Sequence, residues 1–272
     1  MMKTSNRIHW KALSIPKQGN RPSENEDAFL PVFDHHTYTD QTEFICALAD
    51  GAAQTSFSSL WARLLVKEAI VQTYPNKNWP DLVSLAQQQW TNQLSKITLP
   101  GHSEEKVRQG AFSSLLWFGL KFPNRKTMAG TTWRALAVGD TCLIQIRKRN
   151  PVQIFPNLSS ADFGNHPVLL SSNPLWNTAV LNANHQYLME GTWIPGDGFL
   201  LMTDAISAWF IRETEKGNSP MLKLEENFLF PADRQASFTT WISALRESGK
   251  IKNDDTSIIW VGTDGKLTSK PS

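Results

Sequence analysis

Five acidic turns punctuate the chain: Glu26-Asp27, Asp50-Gly51, Gly139-Asp140, Asp204 and Asp254-Asp255. Each lies at the end of a short apolar run that reads as a buried strand, such as ICALA before Asp50 and GFLLMT before Asp204. A carboxylate in such a place is costly unless it is paired or holds a cation. Gly51 beside Asp50 would let the backbone approach a ligand closely. Hard divalent cations such as Mg²⁺ and Mn²⁺ take oxygen ligands, and carboxylates supply them. Two such ions about 3.5–4 Å apart can bind a bridging water, lower its pKa and polarise a phosphoryl oxygen. One Asp-Gly turn is an ordinary loop feature, whereas five acidic turns in one chain point to a shared site.

The elements that must position these turns can be read from periodicity. Ile45 to Val66 runs strand, acidic turn, helix, with Phe57, Leu60, Trp61, Leu64 and Leu65 at helical spacing and Ser56, Ser58 and Ser59 crowding the helix start. Trp79, Leu82, Val83, Ala86, Trp90, Leu94 and Ile97 mark a second amphipathic helix. Earlier, 8–15 and 28–33 read as strands, and His35 and His36 as part of an exposed turn poorly spaced for zinc. Strands are expected over 111–122 and over 131–147 around Gly139-Asp140, in hairpin grammar. A span at 151–193, rich in Asn, Ser and Pro, reads as an irregular flap. A helix should follow Asp204 to about Lys216, 225–229 is ambiguous, and Phe238, Trp241, Ile242 and Leu245 mark a last helix ended by Gly249. A final strand over 257–261 follows Asp254-Asp255, and the tail from Thr263 reads as frayed. With no internal repeat and no clean linker, residues 1–272 are expected to form a single domain.

The bulk numbers exclude little. The net charge of +2 over 272 residues favours no polyanionic partner, and Arg147-Lys148-Arg149 reads as a solvated strand end rather than a nucleic-acid patch. Cys46 and Cys142 lie in apolar runs and read as buried thiols of a reducing compartment. With no stretch of about 20 apolar residues and no signal-like N-terminus, the expectation is a cytoplasmic protein without membrane or nucleic-acid partners. Eleven tryptophans are expected to pack the core.

Taken in order, the motifs resemble those of type 2C metal-dependent protein phosphatases, the PPM class, in a divergent bacterial-like form. GNRPSENEDAF is similar to the family's opening motif, ALADGAAQTSFSSLWARLL to its Asp-Gly turn and helix, and LAVGDTCLIQI to its Gly-Asp strand. LLMTDAISAWF is similar to the third metal motif and NDDTSIIWV to the closing one. The resemblance implies an α+β fold, a two-sheet antiparallel β-sandwich flanked by helices in four αββα layers. It implies two core Mn²⁺ or Mg²⁺ ions and a third, weaker one. By motif, Asp27 binds one core ion, Asp50 bridges both with the Gly51 carbonyl nearby, and Asp204 and Asp254 bind the other; Asp140 and Asp204 serve the third. Asp254 rather than Asp255 is chosen because it stands first in the pair and places Ser257 at the family's Ser/Thr position. Arg21 would hold the substrate phosphate with its two-pronged guanidinium.

The implied activity is metal-dependent hydrolysis of phosphoserine and phosphothreonine in proteins, with a phosphoprotein substrate and a cognate kinase as partners. The alternative is a catalytically degenerate member of the same fold that acts as a binding or regulatory module. Three departures bear on the choice. One extra residue separates Arg21 from Glu26-Asp27 relative to the commoner bacterial pattern. Ala52 and Ala53 follow Asp50-Gly51, so the histidine some members use as a general acid is missing. The family's Gly-Thr-Thr motif is matched by GAFSSLL at 110–116, with Ser113 and Ser114 in place of threonines, rather than by GTT at 130–132.

Overall fold

In the computed structural model, residues 8–30, 37–38, 43–53, 55, 57–71, 79–97, 101–121, 131–164 and 167–263 are described. His35, His36 and the tail beyond Thr263 lie outside them. The strands are β1 (Ile8–Ile15), β2 (Ala28–Leu30), β3 (Thr37–Tyr38), β4 (Glu43–Ala49), β5 (Phe112–Ser113), β6 (Leu115–Lys121), β7 (Thr132–Val138), β8 (Cys142–Arg147), β9 (Asn150–Phe155), β10 (Leu170–Ser171), β11 (Leu188–Thr192), β12 (Gly198–Met202) and β13 (Thr256–Thr263). The helices are α1 (Ser58–Val71), α2 (Trp79–Leu94), α3 (Gly101–Gln109), α4 (Thr178–Asn182), α5 (Asp204–Glu215), α6 (Pro220–Leu224) and α7 (Arg234–Glu247).

Two antiparallel sheets face each other. One has the order β3-β1-β13-β12-β8-β9 and the other β11-β7-β6-β4-β2, with a short β10-β5 pair beside them. Period-2 alternation explains why the central strands are apolar throughout. On β6, Leu116, Phe118 and Leu120 point between the sheets, while Leu115 and Trp117 pack under α1 and α2. On β12, Phe199 and Leu201 face the sandwich interior, while Leu200 and Met202 meet the layer of α5, α6 and α7. Three apolar layers therefore separate four structural layers, which is the expected αββα sandwich.

The helices explain themselves by the same reasoning. Trp61, Leu64 and Leu65 of α1 are buried, with Phe57 and Leu60 at the edge of the same stripe, and Trp61 meets Trp90 of α2 edge to face. Most of the tryptophans are core, and both cysteines are free and buried. Among the described residues, no helix is long and apolar enough to cross a membrane.

Three expectations need correction. The 131–147 stretch is not one hairpin: β7 pairs with β6 and β11 in one sheet, whereas β8 pairs with β9 and β12 in the other. Gly139-Asp140 carries the chain across the sandwich. Gly139 has φ 103°, and a Cβ there would stand 2.6 Å from that of Ser114. Next, the 151–193 span is not irregular at its ends, because β9 pairs with β8 and β11 pairs with β7. Pro151 and a tight turn built from Lys148 and Arg149 at φ 49° and 67°, without glycine or asparagine, hide that strand from pattern reading. Finally, the basic triplet is not simply solvated. Arg147 and Arg149 pair with Asp197 and Glu225, both buried carboxylates. The ambiguous 225–229 stretch is a π-helical turn continuing α6.

Candidate metal centre

Asp27, Asp50, Asp140, Asp204 and Asp254 feed a single electrostatic field, to which Asp255 adds at Asp27. Asp50 follows β4, Asp140 sits in the β7–β8 crossing, Asp204 opens α5 after β12, and Asp254 precedes β13. Burial pushes Asp50 well above the ordinary carboxylate range, and the charges of Asp27, Asp204, Asp140 and Asp254 push it further. Asp27 is raised in the same way, by burial first, against a hydrogen bond from Ser257 and with Asp255, Asp204 and Asp254 adding repulsion. Asp140 is raised by burial, and Asp204 is pushed up to about 6 by burial and by Asp140 and Asp254. Carboxylates that shift one another this way share one small volume. Among the described residues, no three His, Cys, Asp or Glu side chains are closed into a cage around one point. The shared field shows convergence and not a finished coordination sphere.

Backbone bracing fixes these residues. Asp50 N donates to Ser114 Oγ at 3.0 Å, while Asp50 O accepts from Ser113 Oγ at 2.8 Å and Ser114 N at 2.9 Å. Ser114 Oγ in turn hydrogen-bonds Thr141 Oγ1, next to Asp140. Ser113 and Ser114 thus tie two acidic turns together. Gly51 is required by close approach: a Cβ there would lie 2.7 Å from Glu26 O and 3.0 Å from the Ser58 backbone. That spot is also where Ser58 Oγ donates to Glu26, so the hydroxyl expected to cap α1 serves the loop instead.

Asp27 has the most telling surroundings. Its Oδ2 accepts from Ser257 Oγ at 2.6 Å, with Thr203 Oγ1 at 3.4 Å. Ser257 has one proton and spends it on the carboxylate, so Ser14 Oγ, 2.7 Å away, must donate to it. Asn25 Nδ2 donates to Ser14 Oγ at 2.7 Å, and Asn25 Oδ1 accepts from Asp27 N at 2.9 Å. Asp27 Oδ1 is buried with no hydrogen-bond partner. An ionised oxygen left this way calls for a cation. That orphaned oxygen, with acceptor-only carboxylates around it, fits a hard divalent ion.

Lys252, which the sequence reading missed, and Asp255, which it set aside as a ligand, complete the picture. Lys252 Nζ lies 2.9 Å from Asp254 Oδ2 and 3.7 Å from Asp204 Oδ2, a cation at the mouth of the cluster. Its position two residues before Asp254 was the available signal. Asp255 adds its charge to the field at Asp27 but turns both oxygens to backbone donors. It is 3% exposed, and its two oxygens accept from Lys17 N and Glu26 N, each at 2.7 Å. Arg21 is exposed, in the turn before Pro22–Glu24, and its backbone N donates to Glu24 Oε2 at 2.6 Å.

The raised carboxylates predict a sign for stability. A carboxyl whose folded pKa lies above its unfolded value destabilises the fold when ionised, so the penalty is full above the folded pKa and vanishes below the unfolded one. For Asp204, between about 6 and the usual range near 4, that is about 3 kcal/mol at most. Chelator-treated protein is therefore expected to melt higher at pH 5 than at pH 8, a scan that saturating Mn²⁺ should flatten. A melting temperature that falls steadily from pH 8 to pH 5 without metal would contradict the shared field.

The chain is thus a four-layer sandwich with aspartates from five turns in one electrostatic field. A family model described as protein phosphatase 2C matches residues 20–248. The chain belongs to the protein phosphatase 2C family, which is metal-dependent. Solved structures agree in fold. The catalytic domain of the serine/threonine protein phosphatase PstP, in complex with two manganese ions, aligns with TM-score 0.56 and 16% identity over 96% of this chain and 100% of that one. The Mycobacterium tuberculosis PstP phosphatase aligns at 0.54 and 13% over 95% and 100%. A bacterial serine phosphatase aligns at 0.57 and 12% over 96% and 100%. A comparison with curated proteins found no match.

Proposed function

We propose that this chain is a metal-dependent protein serine/threonine phosphatase of the cytoplasm. The observation that carries the reading is the orphaned Asp27 Oδ1 within a field of mutually raised aspartates. Asp27, Asp50 with the Gly51 carbonyl, Asp204 and Asp254 would hold two Mn²⁺ or Mg²⁺ ions, and Asp140 with Asp204 a third. Bound there, such ions activate water and neutralise phosphoryl charge.

The chain's own residues do the rest. Ser257, Ser14 and Asn25 form a one-way hydrogen-bond relay that keeps Asp27 an acceptor. Ser113, Ser114 and Thr141 hold the Asp50 and Asp140 turns at fixed separation. Arg21, which is exposed, would meet the substrate phosphate with two parallel N–H donors. No histidine follows Gly51, so the leaving alkoxide must take its proton from water or another group.

The substrate class is tested with peptides of one sequence carrying phosphoserine, phosphothreonine or phosphotyrosine, read as phosphate released in Mn²⁺. Turnover of the first two well above the third supports the reading. Preference for phosphotyrosine, or no release from a protein that binds Mn²⁺, would favour another substrate or the regulatory-module alternative.

Lys252 gives a second handle. Its ammonium is held 2.9 Å from Asp254 and must yield to any ion that takes that carboxylate. Lys252→Met should tighten Mn²⁺ binding by about tenfold in calorimetry, the exchange of one modest ion pair. Unchanged or weaker binding would place the metal away from Asp254.

A further inference from the structure

Residues 16–26, which carry Arg21, are sewn to the segment before β13 at both ends. Arg246 Nη1 of α7 donates to Pro16 O at 3.0 Å, and its Nη2 donates to Asp254 O at 2.6 Å. Asn253 Oδ1 accepts from Gln18 N at 2.7 Å, and Asn253 Nδ2 donates to Gln18 O at 3.3 Å. Asp255 then takes Lys17 N on one oxygen and Glu26 N on the other, each at 2.7 Å. One buried carboxylate therefore fixes the distance between the two ends of the loop. The Lys17–Glu26 ion pair at 3.2 Å closes the same neck. Between the pins, the Lys17–Asn20 turn and the short turn at Pro22–Glu24 set the path of Arg21.

We infer that Asp255 is a positioning residue for substrate binding: with Asn253 it forms a latch whose neck sets the reach of the Arg21 loop. The inference rests on Arg21 holding the substrate phosphate. A carboxylate suits the task better than an amide, because both of its oxygens accept and both partners are N–H donors. The extra residue before Glu26-Asp27 is then absorbed in the span between fixed ends. The latch also couples the two sides of the site, since Asp254 is the residue next to Asp255 and Asp27 the residue next to Glu26.

The test is a double-mutant cycle on the full chain, with p-nitrophenyl phosphate in saturating Mn²⁺. Asp255→Asn replaces one accepting oxygen by a donor that faces another N–H. It should raise KM by about tenfold with a much smaller change in kcat. In an Arg21→Ala background, the same substitution should leave KM nearly unmoved, because the loop then has nothing to aim. Calorimetric Mn²⁺ affinity should change much less than KM, since both Asp255 oxygens are taken by Lys17 N and Glu26 N and its charge reaches Asp27 only through space. Asn253→Ala, a milder and exposed cut of the same latch, should show the same pattern with a smaller rise in KM and covers the case in which Asp255→Asn folds poorly. If the KM effect is as large without Arg21 as with it, or if melting falls while KM stays constant, the latch is structural only and the inference is overturned. If Arg21→Ala alone leaves KM unchanged, Arg21 does not bind substrate, and the reading on which the latch depends fails with it.

Discussion

Asp50→Asn is expected to give a folded protein whose Mn²⁺-supported turnover is lower by on the order of 10³-fold or more, the scale of lost electrostatic stabilisation at a reacting phosphoryl group. The fold should survive for a specific reason. The hydrogen bonds that place Asp50 run through its backbone N and O to Ser113 and Ser114, and the substitution leaves them untouched. Removing one charge also relieves repulsion with Asp27, Asp204, Asp140 and Asp254. In metal-free buffer above pH 7 the variant should therefore melt no lower than the parent. Steady-state rates and thermal melting on the same preparation check both halves. A well-folded variant with near-parental turnover would remove Asp50 from the metal site.

The second large effect lies at the opposite end of β12 from Asp204 and concerns stability alone. Asp197 is 1% exposed and accepts from Arg147 Nε at 2.7 Å, Arg147 Nη2 and Gln145 Nε2 at 2.8 Å, and Ile194 N at 3.0 Å. Gln145 passes the network on to Trp133 Nε1 at 3.0 Å. Burial alone would raise the Asp197 carboxyl, but the hydrogen bonds from Arg147, Ile194 and Gln145 hold it below the usual range. Its contribution is thus complete above the unfolded carboxylate pKa and is lost as pH falls through the depressed folded one. Asp197→Ala leaves Gln145 Nε2 with Thr192 O alone, frees the Ile194 N–H and unpairs the partly exposed Arg147 guanidinium, and should cost about 2–4 kcal/mol, on the order of 10 °C in melting temperature. KM and kcat per folded molecule should be unchanged. A loss below about 1 kcal/mol in denaturant titration would mean that the network is a weak surface pair.

These two residues also mark what the sequence could and could not reveal. Asp50 was legible because an apolar run, an Asp-Gly break and a helical stripe follow one another locally, and each signal is set by neighbours in the chain. The other acidic turns were legible for the same reason, as were α1, α2, α5 and α7. Asp197 was not, because its partners lie about fifty residues away on β8 and nothing local marks it as buried. The crossing at Gly139-Asp140 failed similarly: a short turn between two apolar strands reads the same whether the chain returns to its own sheet or enters the facing one. Asp254-Asp255 illustrates the limit for the candidate site. The pair announces carboxylate chemistry and motif order favours Asp254 as the ligand, yet only the positions of Lys17 N and Glu26 N reveal that Asp255 closes the loop. Lys252 was passed over because a lone lysine in a polar turn has no periodicity to betray it.

The central claim is that the gathered aspartates make this chain a metal-dependent phosphatase. The most direct measurement is p-nitrophenyl phosphate hydrolysis by the full chain in Mn²⁺, in Mg²⁺ and in EDTA, with excess Mn²⁺ added back. The account predicts turnover in at least one of the two metals, loss of it in EDTA and recovery on adding Mn²⁺. Turnover that persists in EDTA, or none in either metal from a protein that calorimetry shows to bind Mn²⁺, would contradict it.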